Sequence, residues 1–366
     1  MNTATSHATA ISHAANPQGV KAEPQRGQAG RKVSRRDGFR AWAARRPVLT
    51  LLIPLFSIGY PVMALPILAD HGVIPSGWMP QVAGLDAERI ASVLLVFVAL
   101  LPSVMWVTWA VDGPAGVRVL VRRMFRWRIG AGWWLLVLAA LPTLTLTFAL
   151  LLGDPLKSVD VAPFALTQIV GLLVNLVLIN LWEETAWAGF VQTRLERRHS
   201  LVAAAILTAI PFALIHMPLH FIGDFTVGSL TAALVTLLIV CAVVRLMIGV
   251  VLRGTGGSIL AVAMLHTAFN RSNNGDGVVA GLVPGQARGL AGLLAVIVLT
   301  AAVAIIARRR MGRAHNRTHD GGTVSRLVDV SDGPAGDLAG TTARPPSGTP
   351  TAAPSAASHA HPVALD

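Results

Sequence analysis

Three apolar stretches of this sequence carry side chains that can do chemistry. Glu183 and Glu184 stand in Leu181-Trp182-Glu183-Glu184-Thr185-Ala186-Trp187, His216 closes Phe212-Ala213-Leu214-Ile215-His216, and His266 and Asn270 frame His266-Thr267-Ala268-Phe269-Asn270. An ionisable group at the centre of a bilayer costs about 2.5–3.5 kcal/mol on insertion scales, and one that is kept there usually marks a function. A carboxylate, two imidazoles and a carboxamide suit the hydrolysis of an amide. A carboxyl group taken out of water becomes a workable base near neutral pH. Glu183 with a neutral His216 can hold and deprotonate a water, while His266 and Asn270 donate hydrogen bonds to the developing oxyanion. One such donor is typically worth about 10²–10³ in rate.

The elements that must position these groups are membrane helices. The chain has 366 residues, of which 53% are hydrophobic and only 13% charged, and its mean hydropathy is +0.60. Soluble domains carry about 25% charged residues, so a water-soluble globule is excluded. A spanning helix needs about 20 largely apolar residues. Six stretches meet that, at 47–69, 89–111, 129–152, 163–182, 226–252 and 288–307, and two shorter ones, 201–217 and 257–272, hold the histidines. The expected architecture is all-α and polytopic, with about eight transmembrane helices over 47–312. The basic segment 1–46 and the Gly-, Pro-, Ser- and Thr-rich segment 313–366 are expected to be disordered tails, since neither can bury enough apolar surface to offset its ordering entropy.

Charge placement agrees with that division. Arg118, Arg122, Arg123, Arg126 and Arg128, then Arg194, Arg197 and Arg198, then Arg253, and finally Arg308–Arg310 and Arg313 fall in alternate connections. The intervening loops 70–88, 153–162, 217–225 and 273–287 hold one basic residue, Lys157. This is the positive-inside pattern with both termini cytoplasmic, and it accounts for the net charge of +12 through membrane lipids, without nucleic acid. Ala, Gly and Arg usage points to a bacterial plasma membrane. The single cysteine, Cys241, excludes both a disulfide framework and a cysteine-ligated metal within one chain.

Depth brings the polar groups together. If the helices holding Glu183 and His216 form an antiparallel hairpin, the midpoint falls between His199 and Ser200, beside a basic cluster. Glu183 then lies about 21 Å of helix from Arg197, and His266 about 20 Å from Arg253. Asn270 shares a helical face with His266.

The set Glu183-Glu184, Phe212…His216 and His266…Asn270, in that order, resembles the CAAX prenyl protease and bacteriocin-processing family of intramembrane endopeptidases (Abi, Rce1-like), whose motifs are EExxxR, FxxxH and HxxxN. The resemblance covers 118–272. It implies an eight-helix Rce1-like bundle and a peptidase in which Glu183 and His216 activate water, with His266 and Asn270 forming the oxyanion hole. It also implies a peptide or protein substrate, prenylated or not. Family members have been described as metalloproteases, but there is no HExxH here, and a Glu with two His would be a loose zinc site. The expectation is a metal-free mechanism without a cofactor.

One position departs from the motif: Ala188 stands where the family has Arg, which would pair with Glu184. A buried unpaired carboxylate is costly, so another cation must reach it or it must be protonated. The candidates are Arg245 and Arg271. Arg245 has two readings, pairing with Glu184 or snorkelling to the surface. Phe212 is expected to shape the pocket. The alternative functions are a catalytically inactive scaffold or immunity protein with the same fold, and a transporter. Against the transporter, no internal repeat or matched pair of broken helices is found.

Overall fold

The computed structural model describes residues 35–78 and 87–323. Among these residues every regular element is helical. The chain order is α1 (Arg35–Arg45), α2 (Pro47–Asp70), α3 (Glu88–Met124), α4 (Ala131–Leu151), α5 (Val161–Leu195), α6 (Leu201–Phe221), α7 (Val227–Gly254), α8 (Ile259–Asn273), α9 (Val278–Leu282) and α10 (Arg288–Thr323). Seven of them, α2 to α7 and the Arg288–Ile306 part of α10, are long and apolar enough to cross a membrane.

The eighth expected span is α8. It has 15 residues, about 22 Å at 1.5 Å per residue, short of the roughly 30 Å of a hydrocarbon core. It still runs the length of the bundle. At its start the Ser258 hydroxyl donates to the Arg126 carbonyl (2.6 Å) in the Arg-rich connection after α3. At its end Arg271 and Arg89 share Asp276, each at 2.7 Å, and Arg89 lies at the opposite end of α3. A short helix suffices because α8 is wrapped by neighbours: from Ile259 to Ser272 all but Leu260, Met264, Phe269 and Asn270 are buried.

Of the tails expected to be disordered, 1–34 and 324–366 lie outside the described residues. The described part of the first forms α1, which docks through aromatic side chains: Phe39 stacks on Trp106 with centroids 5.7 Å apart, and Arg40 lies over Trp109. The described part of the second continues α10 to Thr323.

Local chemistry sets where the helices bend. In α3 the backbone breaks at Gly113 (φ 68°) just before Pro114, which is where the sequence-based span was expected to end. Helix α6 tightens into a 3₁₀ turn over Met217–Phe221, with Pro218 inside it. Proline has no N–H to offer the Leu214 carbonyl one turn back; that oxygen accepts the Met217 N–H of the tighter turn and also the Tyr60 hydroxyl (3.0 Å). Helices α3, α4 and α5 contain π turns, and α5 has two, Leu176–Asn180 and Trp187–Gln192.

Packing forms two apolar layers with α5 and α8 between them. One is built around Leu55, Leu95, Val104, Trp187, Phe190 and Phe212, the other around Val137, Leu141, Met247, Ile248, Leu265 and Leu299. The two halves of α5 differ. Leu166, Ile169, Val170 and Leu173 are all more than half exposed, whereas from Asn180 to Gln192 every residue but Trp182 is buried. Small residues permit this enclosure. At Gly189 a Cβ would meet the Ile259 side chain at 2.6 Å.

Candidate active site

Between its two π turns α5 has one short α-helical stretch, Leu181–Ala186, and this stretch carries the acidic pair. π turns are rare and often found at functional sites. Here they bracket Glu183 and Glu184, whose side chains are 6% and 0% exposed.

Glu184 is the fully bonded member. Arg245 of α7 donates Nη1 to Oε2 (2.8 Å) and Nη2 to Oε1 (2.7 Å), a two-pronged pair, and His266 Nδ1 of α8 lies 2.7 Å from the same Oε1. Arg245 is fully buried, so it pairs and does not snorkel. Its Nε has no hydrogen-bond partner, but the Phe212 ring lies 4.1 Å from Cζ and covers the guanidinium, a favourable contact between a cation and an aromatic face. Arg271, the other candidate partner for Glu184, is committed elsewhere, to Asp276 and Gln168. Ala188 lies fully buried in the second apolar layer. The guanidinium thus reaches Glu184 from a neighbouring helix, not from one turn further along α5.

Glu183 is the loosely held member. Its Oε1 is 3.7 Å from His216 Nε2, and its Oε2 is 3.9 Å from His266 Nδ1. The antiparallel α5–α6 pair therefore brings Glu183 and His216 to one depth. His216 Nδ1 is 2.7 Å from the Phe212 carbonyl oxygen, and its side chain, 24% exposed, is the most open of the three charged or imidazole groups around Glu183. Phe212 touches most members of the site, with ring centroids 4.5 Å from His216, 6.0 Å from His266 and 5.3 Å from Trp187.

Asn270 lies one turn beyond His266 and donates Nδ2 to Asn180 Oδ1 (3.3 Å). Asn180 in turn donates to Thr267 (2.9 Å). Sequence reasoning singled out neither Thr267 nor Gln192, whose Nε2 donates to the Arg245 backbone carbonyl (3.1 Å) and to Glu196 (3.2 Å). Asn180 was legible in the sequence as polar glue between helices, and it does join α5 to α8. Among the described residues no three His, Cys, Asp or Glu side chains are grouped to hold a metal ion, and His266 Nδ1 is already occupied by Glu184.

A second ionic cluster lies at the far end of α8. Asp276 is shared by Arg89 and Arg271 at 2.7 Å each, and its side chain is 45% exposed. Partial burial alone would raise the Asp276 pKa, but the hydrogen bond from Arg89 and the charge of Arg271 hold its carboxyl below the ordinary aspartate value.

Residues 165–272 match the family model described as type II CAAX prenyl endopeptidase, Rce1-like. The match runs from early α5 to the end of α8 and includes every side chain of the layer just described. It supports a CAAX-type intramembrane-protease fold for this region, a membrane setting and a peptide or protein as the substrate class. No curated protein matches the chain.

Proposed function

We propose that the chain is an intramembrane endopeptidase in which Glu183 and His216 activate water, and His266 and Asn270 stabilise the oxyanion. The observation that carries this reading is the 3.7 Å between Glu183 Oε1 and His216 Nε2. A carbonyl oxygen can only accept, so His216 Nδ1 carries the hydrogen shared with Phe212, and Nε2 of the neutral ring is a lone pair. Two acceptors then face each other beyond hydrogen-bond reach. One water donating a hydrogen to each satisfies both and keeps a lone pair for the substrate carbonyl carbon.

As the water oxygen bonds to that carbon, its proton passes to Glu183 and negative charge collects on the former carbonyl oxygen. With Nδ1 held by Glu184, His266 has Nε2 left to face that oxygen, and Asn270 donates from Nδ2. When the C–N bond breaks, the proton held at Glu183 goes to the leaving amine. Arg245 keeps Glu184 charged and so keeps the His266 ring in place. The substrates that fit the family are prenylated C-terminal peptides or bacteriocin precursors. The setting is a bacterial plasma membrane with both termini cytoplasmic, the basic connections meeting anionic lipid headgroups, with no nucleic acid involved.

The test compares membranes holding wild type with membranes holding Glu183→Gln at matched folded levels, with a farnesylated CAAX peptide added, and maps new peptide termini by mass spectrometry. Loss of a general base costs about 10²–10⁴ in rate, so termini present with wild type should vanish with the variant. Identical profiles would overturn the peptidase and leave the inactive scaffold or immunity protein.

A further inference from the structure

We propose that Asn180 is a positioning residue for the oxyanion site: it holds the Asn270 carboxamide in the orientation that puts Nδ2 in the polar layer. The inference rests on the peptidase reading above and extends it to a residue outside the three motifs.

Helices α5 and α8 meet through two polar rungs. At the first, Glu184 holds His266 (2.7 Å). One turn towards the α5 start, Asn180 meets both Thr267 and Asn270. Asn180 is fully buried, and it closes the Leu176–Asn180 π turn three residues before Glu183, so the turn that ends at Asn180 precedes the stretch holding the acid.

The hydrogens at this second rung can be assigned one by one. The Thr267 hydroxyl donates to the Ala263 carbonyl of its own helix (2.8 Å), which uses its single hydrogen and leaves only acceptor capacity. The group facing Thr267 must therefore be the NH₂ of Asn180, at 2.9 Å. With its NH₂ on that side, Asn180 presents Oδ1 to Asn270, and a carbonyl oxygen accepts only from the Asn270 NH₂, at 3.3 Å. Three side chains are oriented in sequence by one backbone carbonyl. One N–H of Asn270 is spent on Asn180, and the other is held at a fixed angle. Without Asn180 the Asn270 amide can turn about its last bond and present its oxygen, a repulsive partner for an oxyanion. Networks of this kind also exceed the sum of their pairs.

The effect falls on the transition state and not on substrate binding, because the oxyanion exists only there. The readout is the rate at which Glu183-dependent termini appear in membranes supplied with the farnesylated CAAX peptide, measured over a range of peptide concentrations. Asn180→Leu should lower kcat by about tenfold or more with KM within about twofold. Thr267→Val should lower kcat less, and Thr267→Ser, which keeps the hydroxyl, should stay close to wild type. Added to Asn270→Ala, the Asn180→Leu change should cost nothing further, since it acts through that residue.

A wild-type kcat in Asn180→Leu, or full additivity with Asn270→Ala, would overturn the inference while Glu183→Gln still abolishes cleavage. If cleavage does not depend on Glu183, the peptidase reading itself falls and this one with it. Should Asn180→Leu fail to accumulate, the two Thr267 variants carry the test: a wild-type kcat in Thr267→Val, or equal losses in Thr267→Val and Thr267→Ser, would count against the relay.

Discussion

Two of the arginine–carboxylate centres among the described residues share a 2.7 Å contact and differ in surroundings. At Arg245–Glu184 both side chains are fully buried; at Arg89–Asp276–Arg271 the aspartate is 45% and Arg89 25% exposed, and only Arg271 is buried. An exposed pair exchanges protein partners for water at little cost and is worth about 0–1 kcal/mol. A buried pair has no such exchange, so each member depends on the other. The interior centre also has something that the rim centre lacks, a third bond from Glu184 to His266. Its ion pair reaches the imidazole that lies beside Glu183, whereas the rim pair ties the end of α8 to the start of α3.

The sharpest way to break this contrast is to remove one partner at each place. Arg245→Leu leaves a buried carboxylate unpaired and should cost about 3–5 kcal/mol, seen as a large drop in melting temperature or as loss of folded protein. Adding Glu184→Gln to Arg245→Leu should recover most of the stability, because no charge is left stranded, yet Glu183-dependent cleavage should stay low because His266 has lost its anionic anchor. Recovery of both would mean that Glu184 is only a structural ion.

Arg245→Lys sharpens the comparison further. It keeps the charge but replaces a planar fork with a single ammonium, which cannot bond both carboxylate oxygens in parallel. The fold should survive, and cleavage should fall by about tenfold as Glu184 and the His266 ring lose their alignment. Lysine performing as well as arginine would show that charge alone is what the centre needs.

The rim centre should give the smallest effects. Asp276→Asn should cost about 1–3 kcal/mol at neutral pH, because the buried Arg271 loses a charged partner but keeps Gln168 and the residue 276 carbonyl, with cleavage unchanged. Because the folded-state pKa of Asp276 is depressed, its contribution is present above the unfolded value and lost as pH falls through the lower folded one. Thermal melts of wild type and Asp276→Asn should therefore differ near pH 7 and converge only below the ordinary aspartate value of 3.8. A gap that persists in acid would assign the effect to packing.

Which features were legible in the sequence follows from what a bilayer constrains. Helices that must cross it are roughly antiparallel and rise by a known amount, so counting residues from the basic turns placed Glu183, His216 and His266 at one depth. Rotation about each helix axis is not constrained in that way. The π turns of α5 decide which way Asn180 and Gln192 point, and each differs from an α turn by a single residue with no compositional mark. Ala188 signalled that Glu184 needed a cation, and Arg245 was the first choice of two candidates. What the sequence lacked was the sight of α7 facing the acidic pair and of Arg271 already held by Asp276. Helix α8, whose 15 residues are short for a span, was counted with the others because its neighbours are long enough to cross.

The π turns have a consequence for how the gene can change in length. A π turn holds one residue more than the α turn it replaces, and at 3.6 residues per turn one residue corresponds to about 100° of rotation. Removing a codon within 176–180 would regularise that turn and leave both the lipid-exposed first half of α5 and Leu181–Ala186 near their present faces. Removing one within 187–192 would likewise be taken up before the 196–200 connection. A codon gained or lost between 181 and 186 has no such buffer and would rotate one glutamate out of the layer it shares with His216 and His266. Helix α5 thus has two joints where small insertions and deletions are absorbed, and between them a six-residue segment whose length cannot change without moving Glu183 or Glu184.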